Sequence, residues 1–466
     1  MSETDKTNLL FIPYTFTNGG GAEKVLQILV NNLPLSKYTI RIQEVEQFDK
    51  YLMLNDEIKL NSAFINQEGL SKTFNELNFF LLIHFPRILK SIFRLSNYDT
   101  VIAYNYQSPS FMLPAFKNEK KIAWFHGDIY DLADNSKKEE RLLQDKAWKN
   151  VDKIITISKK SQQSLIDVFP ELSKKSQIIY NGINITETLQ KSKEECDLSF
   201  EDKSYLVCVG RLDKNKNYIL LIKALAVLKQ NGINYNLVLV GTGDEKNNLV
   251  EEAEKLGISD RVYFTGYQTN PYKYISHAKL LCVTSISEGW GMVITEAMAL
   301  GIPFVTTPVA GASEELADGG RCGLVAGYNP VEYAEAVKKL LTNQELYEQM
   351  SKNCIENVKQ YSAENYAENF MKLLDDIGCK SSSNEKHHRT NTILDYLSYF
   401  LLYIFSIGEI GNRIHIIRKR ITEKRIIKVI KNFVYLFALI ICTPVFLVGK
   451  VFIFPLYIYK VRVSNR

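Results

Sequence analysis

Two carboxylates stand where an apolar run gives way to glycines and then to a helical pattern. Glu288 and Glu296 are eight residues apart. Gly289 and Gly291 lie between Glu288 and an apolar run of helical periodicity. This spacing predicts Glu288 on a loop and Glu296 about one turn inside a helix, where both can face one cleft. Carboxylates accept hydrogen bonds from sugar or ribose hydroxyls, and a helix start suits a phosphate. The alternative for Glu296 alone is a structural helix carboxylate.

Two cations follow another short apolar run, which ends at Gly210. Arg211 carries a fork of donors and Lys216 a point charge, so the two together could neutralise a diphosphate. The alternative is a solvated basic turn.

Two further candidate loops lie earlier in the chain. His126 ends the run Trp124-Phe-His, where a histidine packed in the core is the alternative to one that touches a transferred group. Gly20 and Gly21 follow the first apolar run and open a helix, so their amides could approach an anion. A tight strand-to-helix turn is the alternative there. A dinucleotide site is disfavoured because G-x-G-x-x-G is not in register.

The elements that must position these residues form two series of short apolar runs. The runs alternate with helix-length segments, which predicts two α/β domains, each a doubly wound, mainly parallel sheet with helices on both faces. A polar stretch at 187–204 reads as the linker between them. The predicted divisions are domains at 1–185 and 186–378 with a closing helix, a polar connector at 379–391, and a tail at 392–466.

Several motifs follow one another in a characteristic order. They are Gly19–Glu23, Asn181–Ile183, Gly210–Leu212 with Lys216, Leu239–Gly243, and Glu288 with Glu296. Together they resemble the retaining glycosyltransferases of family 4, whose GT-B fold has two Rossmann-like domains facing a cleft. The resemblance covers about residues 1–378.

This resemblance implies a nucleotide-sugar donor held mainly by the second domain and an acceptor held mainly by the first. It implies chemistry at His126, Glu288, Arg211 and Lys216. The donor-binding residues that it implies are Gly20, Gly21, Gly210, Gly241, Gly289, Gly291, Met292, Val293 and Glu296. It also implies transfer with retention and no cofactor or essential metal, in agreement with a sequence that has no Asp-x-Asp triplet and no metal-ligand spacing.

Composition narrows the class of protein. The chain has 466 residues, 46% hydrophobic and 23% charged, which argues against wholesale disorder and against a transporter with many spans. Its seven cysteines are scattered without a C-x-x-C pair, which indicates reduced thiols in a cytoplasmic protein. The N-terminus is polar and partly acidic before its first apolar run, whereas a signal peptide places basic residues before that run, so no signal peptide is expected.

Charge is divided unequally along the chain. Residues 386–466 contain fourteen Lys and Arg against three acids, so a basic tail follows an acidic body. The cluster at 413–431 suits anionic membrane lipids. Nucleic acid is the disfavoured partner because apolar aromatic runs flank the cluster. The uncharged run 432–449 could span, re-enter or lie on a bilayer, since Pro444 interrupts it.

A second apolar and basic segment, 79–95, lies in the first domain. It predicts a helix pair broken at Pro86 and packed in the core, with a membrane-facing lip beside the acceptor site as the alternative.

These observations predict a glycosyltransferase at the cytoplasmic face of the cell membrane that acts on a lipid-linked acceptor in glycolipid or surface-polysaccharide synthesis. The alternatives are a catalytically silent nucleotide-binding subunit that anchors a partner enzyme, and a dinucleotide oxidoreductase.

Overall fold

The computed structural model describes residues 6–17, 20–48, 53–66, 72–196, 198 and 205–379. The predictions for the connector beyond Cys379 and for the tail, including lipid binding by 413–431, fall outside these residues. Within the described part of the chain, no helix is long and apolar enough to cross a bilayer. The cysteines in that part are free thiols.

The first half, up to residue 198, alternates strands and helices as its apolar runs predict. Its strands are β1 (Thr7–Pro13), β2 (Tyr38–Gln43), β3 (Glu46–Gln47), β4 (Lys59–Asn61), β5 (Ile65–Asn66), β6 (Thr100–Tyr104), β7 (Lys120–Trp124), β8 (Lys153–Thr156) and β9 (Ser176–Ile178). Its helices are α1 (Gly21–Asn32), α2 (Lys72–His84), α3 (Pro86–Ile92), α4 (Lys138–Trp148), α5 (Lys159–Val168) and α6 (Ile185–Lys191).

The second half, from residue 205, repeats the alternation. Its strands are β10 (Tyr205–Val209), β11 (Asn236–Val240), β12 (Val262–Gly266), β13 (Leu280–Val283), β14 (Phe304–Thr306) and β15 (Gly323–Val325). Its helices are α7 (Tyr218–Gln230), α8 (Lys246–Lys255), α9 (Tyr272–Ser276), α10 (Met292–Ala299), α11 (Pro330–Thr342), α12 (Gln344–Asn357) and α13 (Ala363–Asp376).

Each half contains one large parallel sheet, so the predicted fold class is confirmed. The first sheet has the order β4-β2-β1-β6-β7-β8-β9 and the second β12-β11-β10-β13-β14-β15. In both sheets the strand order reverses next to the first strand: strands are added on one side of it and then on the other. The reversal lies between β1 and β6 in the first sheet and between β10 and β13 in the second. Ligands of such sheets bind beyond the carboxyl ends of the strands at this reversal. The candidate loops after β1, β10 and β13 lie there, and the His126 loop follows β7, one strand further on.

Both sheets belong to one structural unit, residues 1–70 and 77–389. Residues 71–76 and 390–466 make up a second unit, of which the structure describes the first turn of α2. Within the larger unit, α13 returns from the second half and packs on α1. The Phe370 ring lies 5.8 Å from that of Phe11 and 5.6 Å from that of Trp124, so the last helix closes the core of the first half.

The segment 79–95 forms two helices that break at Pro86, as predicted. Pro86 occupies the first turn of α3, where its missing N–H costs nothing. Leu82 and Leu89 are buried. Packing in the core therefore explains the two leucines. It does not explain four apolar side chains of the same segment that are 39–50% exposed, which are Phe79, Phe80, Phe85 and Ile88.

Candidate active site

Lys216 and Glu288 form an ion pair at the carboxyl end of the second sheet. Lys216 Nζ donates to Glu288 Oε1, and the Ser285 hydroxyl donates to the same oxygen over 2.7 Å. The two charged side chains are about one-fifth exposed, so a ligand can reach them. The structure therefore brings together two of the predicted residues, which are 72 positions apart.

Asn215 fastens the two loops that carry this pair. Its side-chain amide donates to the Ser287 carbonyl over 2.9 Å and accepts from the Ser287 N–H over 3.1 Å. Its own carbonyl accepts from the Ile286 N–H over 2.7 Å. These bonds fix the loop before α10 against the loop after β10, so the positions of Lys216 and Glu288 depend on each other.

Helix α10 begins at this loop. Gly291, which precedes it, has a φ of +87°, a conformation that side chains other than glycine rarely adopt. The N–H groups of Met292 and Val293 belong to the first turn, where helical partners are lacking. Glu296 lies one turn further on and is 5% exposed, as the spacing from Glu288 predicts.

Glu296 pairs with a lysine from the first half of the chain. Lys24, on α1, donates to Glu296 Oε1 over 2.6 Å and to the Tyr272 hydroxyl over 2.6 Å. Burial alone would lower the pKa of the Lys24 ammonium, but the charge of Glu296 and the Tyr272 hydroxyl outweigh it and raise that pKa. Lys24 is therefore protonated and spans the space between the two sheets.

The His126 ring is held by aromatic neighbours. Its centroid lies 4.3 Å from that of Tyr104, and it stacks on Trp124 at 6.0 Å. Both ring nitrogens are buried and have no hydrogen-bond partner in the described part of the chain. Burial lowers the pKa of His126 to about 3, so the ring is neutral near pH 7 and offers one N–H donor and one acceptor nitrogen.

Gly289 brings the His126 loop and the Glu288 loop into contact. A Cβ atom at Gly289 would overlap the His126 carbonyl oxygen. Glycine is required at this position by that close approach. Residues predicted from opposite halves thus face each other, with the backbone of one packed on the backbone of the other.

The start of α1 is organised by two carboxylates, Glu23 and the buried Glu44. Glu23 accepts the Gly20 N–H, and burial raises the pKa of Glu23 despite this bond. Glu44 accepts the N–H groups of Phe16 and Thr17 over 2.9 and 3.1 Å. The Gly20 amide is therefore engaged by its own helix. Its predicted role toward a ligand, and that of Gly21, stay predictions.

Gly210 and Gly241 allow β10 and β11 to end side by side. Both have positive φ angles, and a Cβ atom at Gly241 would overlap the Gly210 carbonyl oxygen. This packing accounts for both glycines without a ligand. Arg211 does not join the Lys216–Glu288 pair, since its side chain is 84% exposed and lies 3.2 Å from Asp213.

Two family models match the chain in succession. "Glycosyltransferase Family 4" matches residues 19–187, and "Glycosyl transferases group 1" matches residues 190–357. Both matched regions coincide with the sheets that carry the candidate site. The chain therefore belongs to the glycosyltransferases that these two family models describe.

Curated relatives of this glycosyltransferase include two from Campylobacter jejuni. One is an N-acetylgalactosaminyltransferase whose name specifies a diphospho-undecaprenol-linked acceptor; it is 29% identical over 49% of this chain and 61% of its own length. Another, an α-1,4-N-acetylgalactosaminyltransferase also named for an undecaprenol-linked glycan, is 22% identical over 77% of this chain and 96% of its own length. The match to an uncharacterised Methanocaldococcus jannaschii glycosyltransferase spans 40% of that relative.

Solved structures with the same fold include Anabaena HepE in complex with UDP. It aligns with a TM-score of 0.65 and 19% identity over 79% of this chain and all of that chain. The lipopolysaccharide glycosyltransferase WaaG aligns with a TM-score of 0.60 and 16% identity over 78% of this chain and 99% of that chain. Both likenesses confirm the GT-B architecture of the glycosyltransferase.

Sequence reasoning missed four residues that shape the site. Lys24 donates to both Glu296 and Tyr272, Asn215 joins the two loops, and Glu44 holds the turn before α1. Lys24 directly follows the quoted Gly19–Glu23 motif, which was a usable signal. The other three have no motif of their own, because their partners are distant in sequence.

Proposed function

We propose that this glycosyltransferase moves a sugar from a nucleotide-sugar donor to a lipid-linked acceptor, with retention of anomeric configuration. The Lys216–Glu288 pair carries the proposal. A cation for the leaving diphosphate and a carboxylate for sugar hydroxyls lie side by side at the strand ends, and Glu288 is on the loop that leads into the helix of Glu296. The names of the Campylobacter relatives support a lipid-linked acceptor.

Donor binding follows from the charges at these loops. Lys216 and the amides of Met292 and Val293 would hold the diphosphate. Arg211 would join them, because its exposed ion pair with Asp213 is worth about 1 kcal/mol or less and is easily exchanged. Glu296 would accept the ribose hydroxyls.

The proposed reaction breaks the bond between the anomeric carbon and the diphosphate oxygen and forms one from that carbon to the acceptor oxygen on the same face. Negative charge grows on the diphosphate, and Lys216 lowers the barrier by being in place before the reaction. A diphosphate oxygen takes the acceptor proton. Glu288 acts as a binding group, since Lys216 and Ser285 already hold its Oε1.

His126 would contact the donor sugar from the opposite side of the cleft. Its neutral ring can donate one hydrogen bond to a sugar hydroxyl and accept one from another. A protonated ring would oppose positive charge on the sugar carbon, so the neutral state favours the reaction. We expect no cofactor and no essential metal, because Lys216 supplies the positive charge at the diphosphate.

The exposed side chains Phe79, Phe80, Phe85 and Ile88 support action at a membrane. They lie within ten residues of one another on α2, α3 and the break between them, together with Arg87. Aromatic side chains enter the interface of a bilayer, and arginine binds anionic headgroups. We place the enzyme as a peripheral protein at the cytoplasmic face of the cell membrane.

A donor screen tests the proposal. Full-length protein is incubated with a panel of UDP-, GDP- and CMP-sugars and a polyprenyl-diphosphate-linked glycan, with and without EDTA, and nucleoside diphosphate or monophosphate release is measured. We expect diphosphate release with one donor class that depends on the acceptor and survives EDTA. The product should keep the donor's anomeric configuration by proton NMR. No release from any donor would overturn the proposal, and an inverted product would overturn retention.

A further inference from the structure

Lys24 is the one side chain for which the structure describes contacts to a predicted donor-binding carboxylate from the opposite half of the chain. It lies in the first turn of α1, while Glu296 and Tyr272 lie on α10 and α9. Both Lys24 bonds are 2.6 Å long. The ammonium also lies 5.0 Å from the centre of the Tyr272 ring, so Tyr272 contacts it through the ring as well as through the hydroxyl that accepts its hydrogen bond.

Burial makes this contact consequential for Glu296. The Glu296 side chain is 7% exposed and that of Lys24 is 34% exposed. A carboxylate so deeply buried needs a cation or several donors to remain charged. Lys24 supplies that cation through Oε1 and leaves Oε2 for hydroxyls of a ligand. Tyr272 is fixed in turn by a 3.1 Å bond from its N–H to Asn270.

We propose that Lys24 is a positioning residue for ribose recognition. It pairs with Oε1 and orients the Glu296 side chain so that Oε2 accepts the ribose hydroxyls of the donor. Because Lys24 belongs to the first half, the ribose is recognised fully when the two halves are in contact. This inference rests on the proposed function, since it assigns the partner of a group already proposed to bind ribose.

The test compares a nucleoside diphosphate with its 2′-deoxy form. The probe is the diphosphate that wild-type protein releases in the donor screen, and binding is measured by calorimetry on full-length protein. We expect wild-type protein to bind the ribose form about tenfold more tightly, the value of one hydrogen bond to a charged group. Lys24→Met should reduce this ratio to about two or less. Lys24→Arg, which keeps the charge, should retain most of it.

Lys90→Met is the matched control. Lys90 pairs with Glu119 over 2.6 Å and lies 4.2 Å from the centre of the Phe116 ring, so it has the same kinds of partner as Lys24. Both of these described contacts lie within the first half. Its loss should lower thermal stability as much as the loss of Lys24, without changing the ratio of ribose to deoxyribose affinity.

Three results would overturn the inference. Lys24→Met protein that is folded and keeps the wild-type ratio would show that Glu296 needs no help from Lys24. A wild-type ratio near one would show that Glu296 does not read the ribose. An equal drop of the ribose to deoxyribose affinity ratio in Lys90→Met protein would show that Lys24 has only a structural role. Donor turnover by wild-type protein would persist in each case, whereas failure of the proposed function would abolish it.

Discussion

The two candidate carboxylates of the second half each pair with a cation, whereas His126, the candidate side chain of the first half, has no hydrogen-bond partner in the described residues. Glu288 binds Lys216, and Glu296 binds Lys24. In the first half, both ring nitrogens of His126 and one oxygen of Glu44 are buried without a hydrogen bond in the described residues. Each such atom costs about 1–3 kcal/mol unless a ligand or solvent satisfies it.

This difference indicates how the two halves respond to ligands. Under the proposed function, a donor bound to the second half would exchange partners with charges that are already compensated. On the side of the first half it would supply the hydrogen bonds that His126 lacks. The proposed donor site would thus be built in advance, and the side facing it would gain hydrogen bonds when a donor binds.

The largest effect should come from breaking the charge pair. Glu288→Gln leaves the Lys216 ammonium without its counter-charge and removes the carboxylate proposed to grip the sugar. We expect diphosphate release to fall about 100- to 1,000-fold. Rates are measured at saturating donor.

Glu335→Gln is the control for this change, because it removes a carboxylate that pairs with Lys338 on the exposed face of α11. It should retain wild-type release. A Glu288→Gln rate within threefold of wild type would show that the pair is structural.

A methyl group between the halves should have the next largest effect. Gly289→Ala places a Cβ atom against the His126 carbonyl and forces the two loops apart, at a typical cost of about 1–3 kcal/mol. We expect about a tenfold or greater loss of diphosphate release. Gly127→Ala is the control, since its Cβ atom would meet nothing within 4 Å. Equal activity of the two variants would show that the close approach is not needed.

His126, which is buried without a hydrogen-bond partner in the described residues, should make the stability of the fold sensitive to acid. Its pKa of about 3 in the folded protein lies below the ordinary 6.5, so between these values the unfolded chain binds a proton that the folded protein does not. The free energy of unfolding should therefore decrease as pH falls below about 6.5, by up to about 1.4 kcal/mol per pH unit from this group.

His126→Asn should remove that component. Urea unfolding at pH 6.5 and pH 5 measures the change in stability for wild-type protein and for His126→Asn. The His126 variant should show the shallower dependence. Identical dependence in the two proteins would contradict a buried neutral His126.

The smallest expected effect concerns the exposed apolar surface of the first half. A tryptophan placed at Phe85 should be quenched by vesicles that contain brominated and anionic lipids. Tyr267→Trp, an exposed position in the second half, is the control. The three native tryptophans are buried and provide a constant background. Vesicle binding with equal or no quenching of the two variants would show that this surface does not meet the membrane.

The sequence predicted the parts of the fold that depend on local pattern. Short β-rich runs separated by helix-length segments were enough for both sheets, and Pro86 marked the break between α2 and α3. The placement of Glu296 one turn inside α10 followed from helical geometry alone. The predicted runs left out several strands, among them β2, β4 and β9, of which β4 and β9 have only three residues each.

The parts of the site that depend on distant contacts could not be predicted. Arg211 and Lys216 belong to one loop and looked equivalent, yet Lys216 turns inward to Glu288 and Arg211 stays in solvent. Lys24 and Glu296 are 272 residues apart. Their pairing requires the contact between the two halves, which no local pattern encodes.

Lys216 is proposed to stabilise a leaving diphosphate in the cleft. Single-turnover diphosphate release from the preferred nucleotide sugar measures this role, with Lys216→Met compared with Lys214→Met, which changes an exposed lysine on the same loop. We predict a loss of at least about 100-fold for Lys216→Met and a near wild-type rate for Lys214→Met. Equal rates for the two variants would contradict the claim.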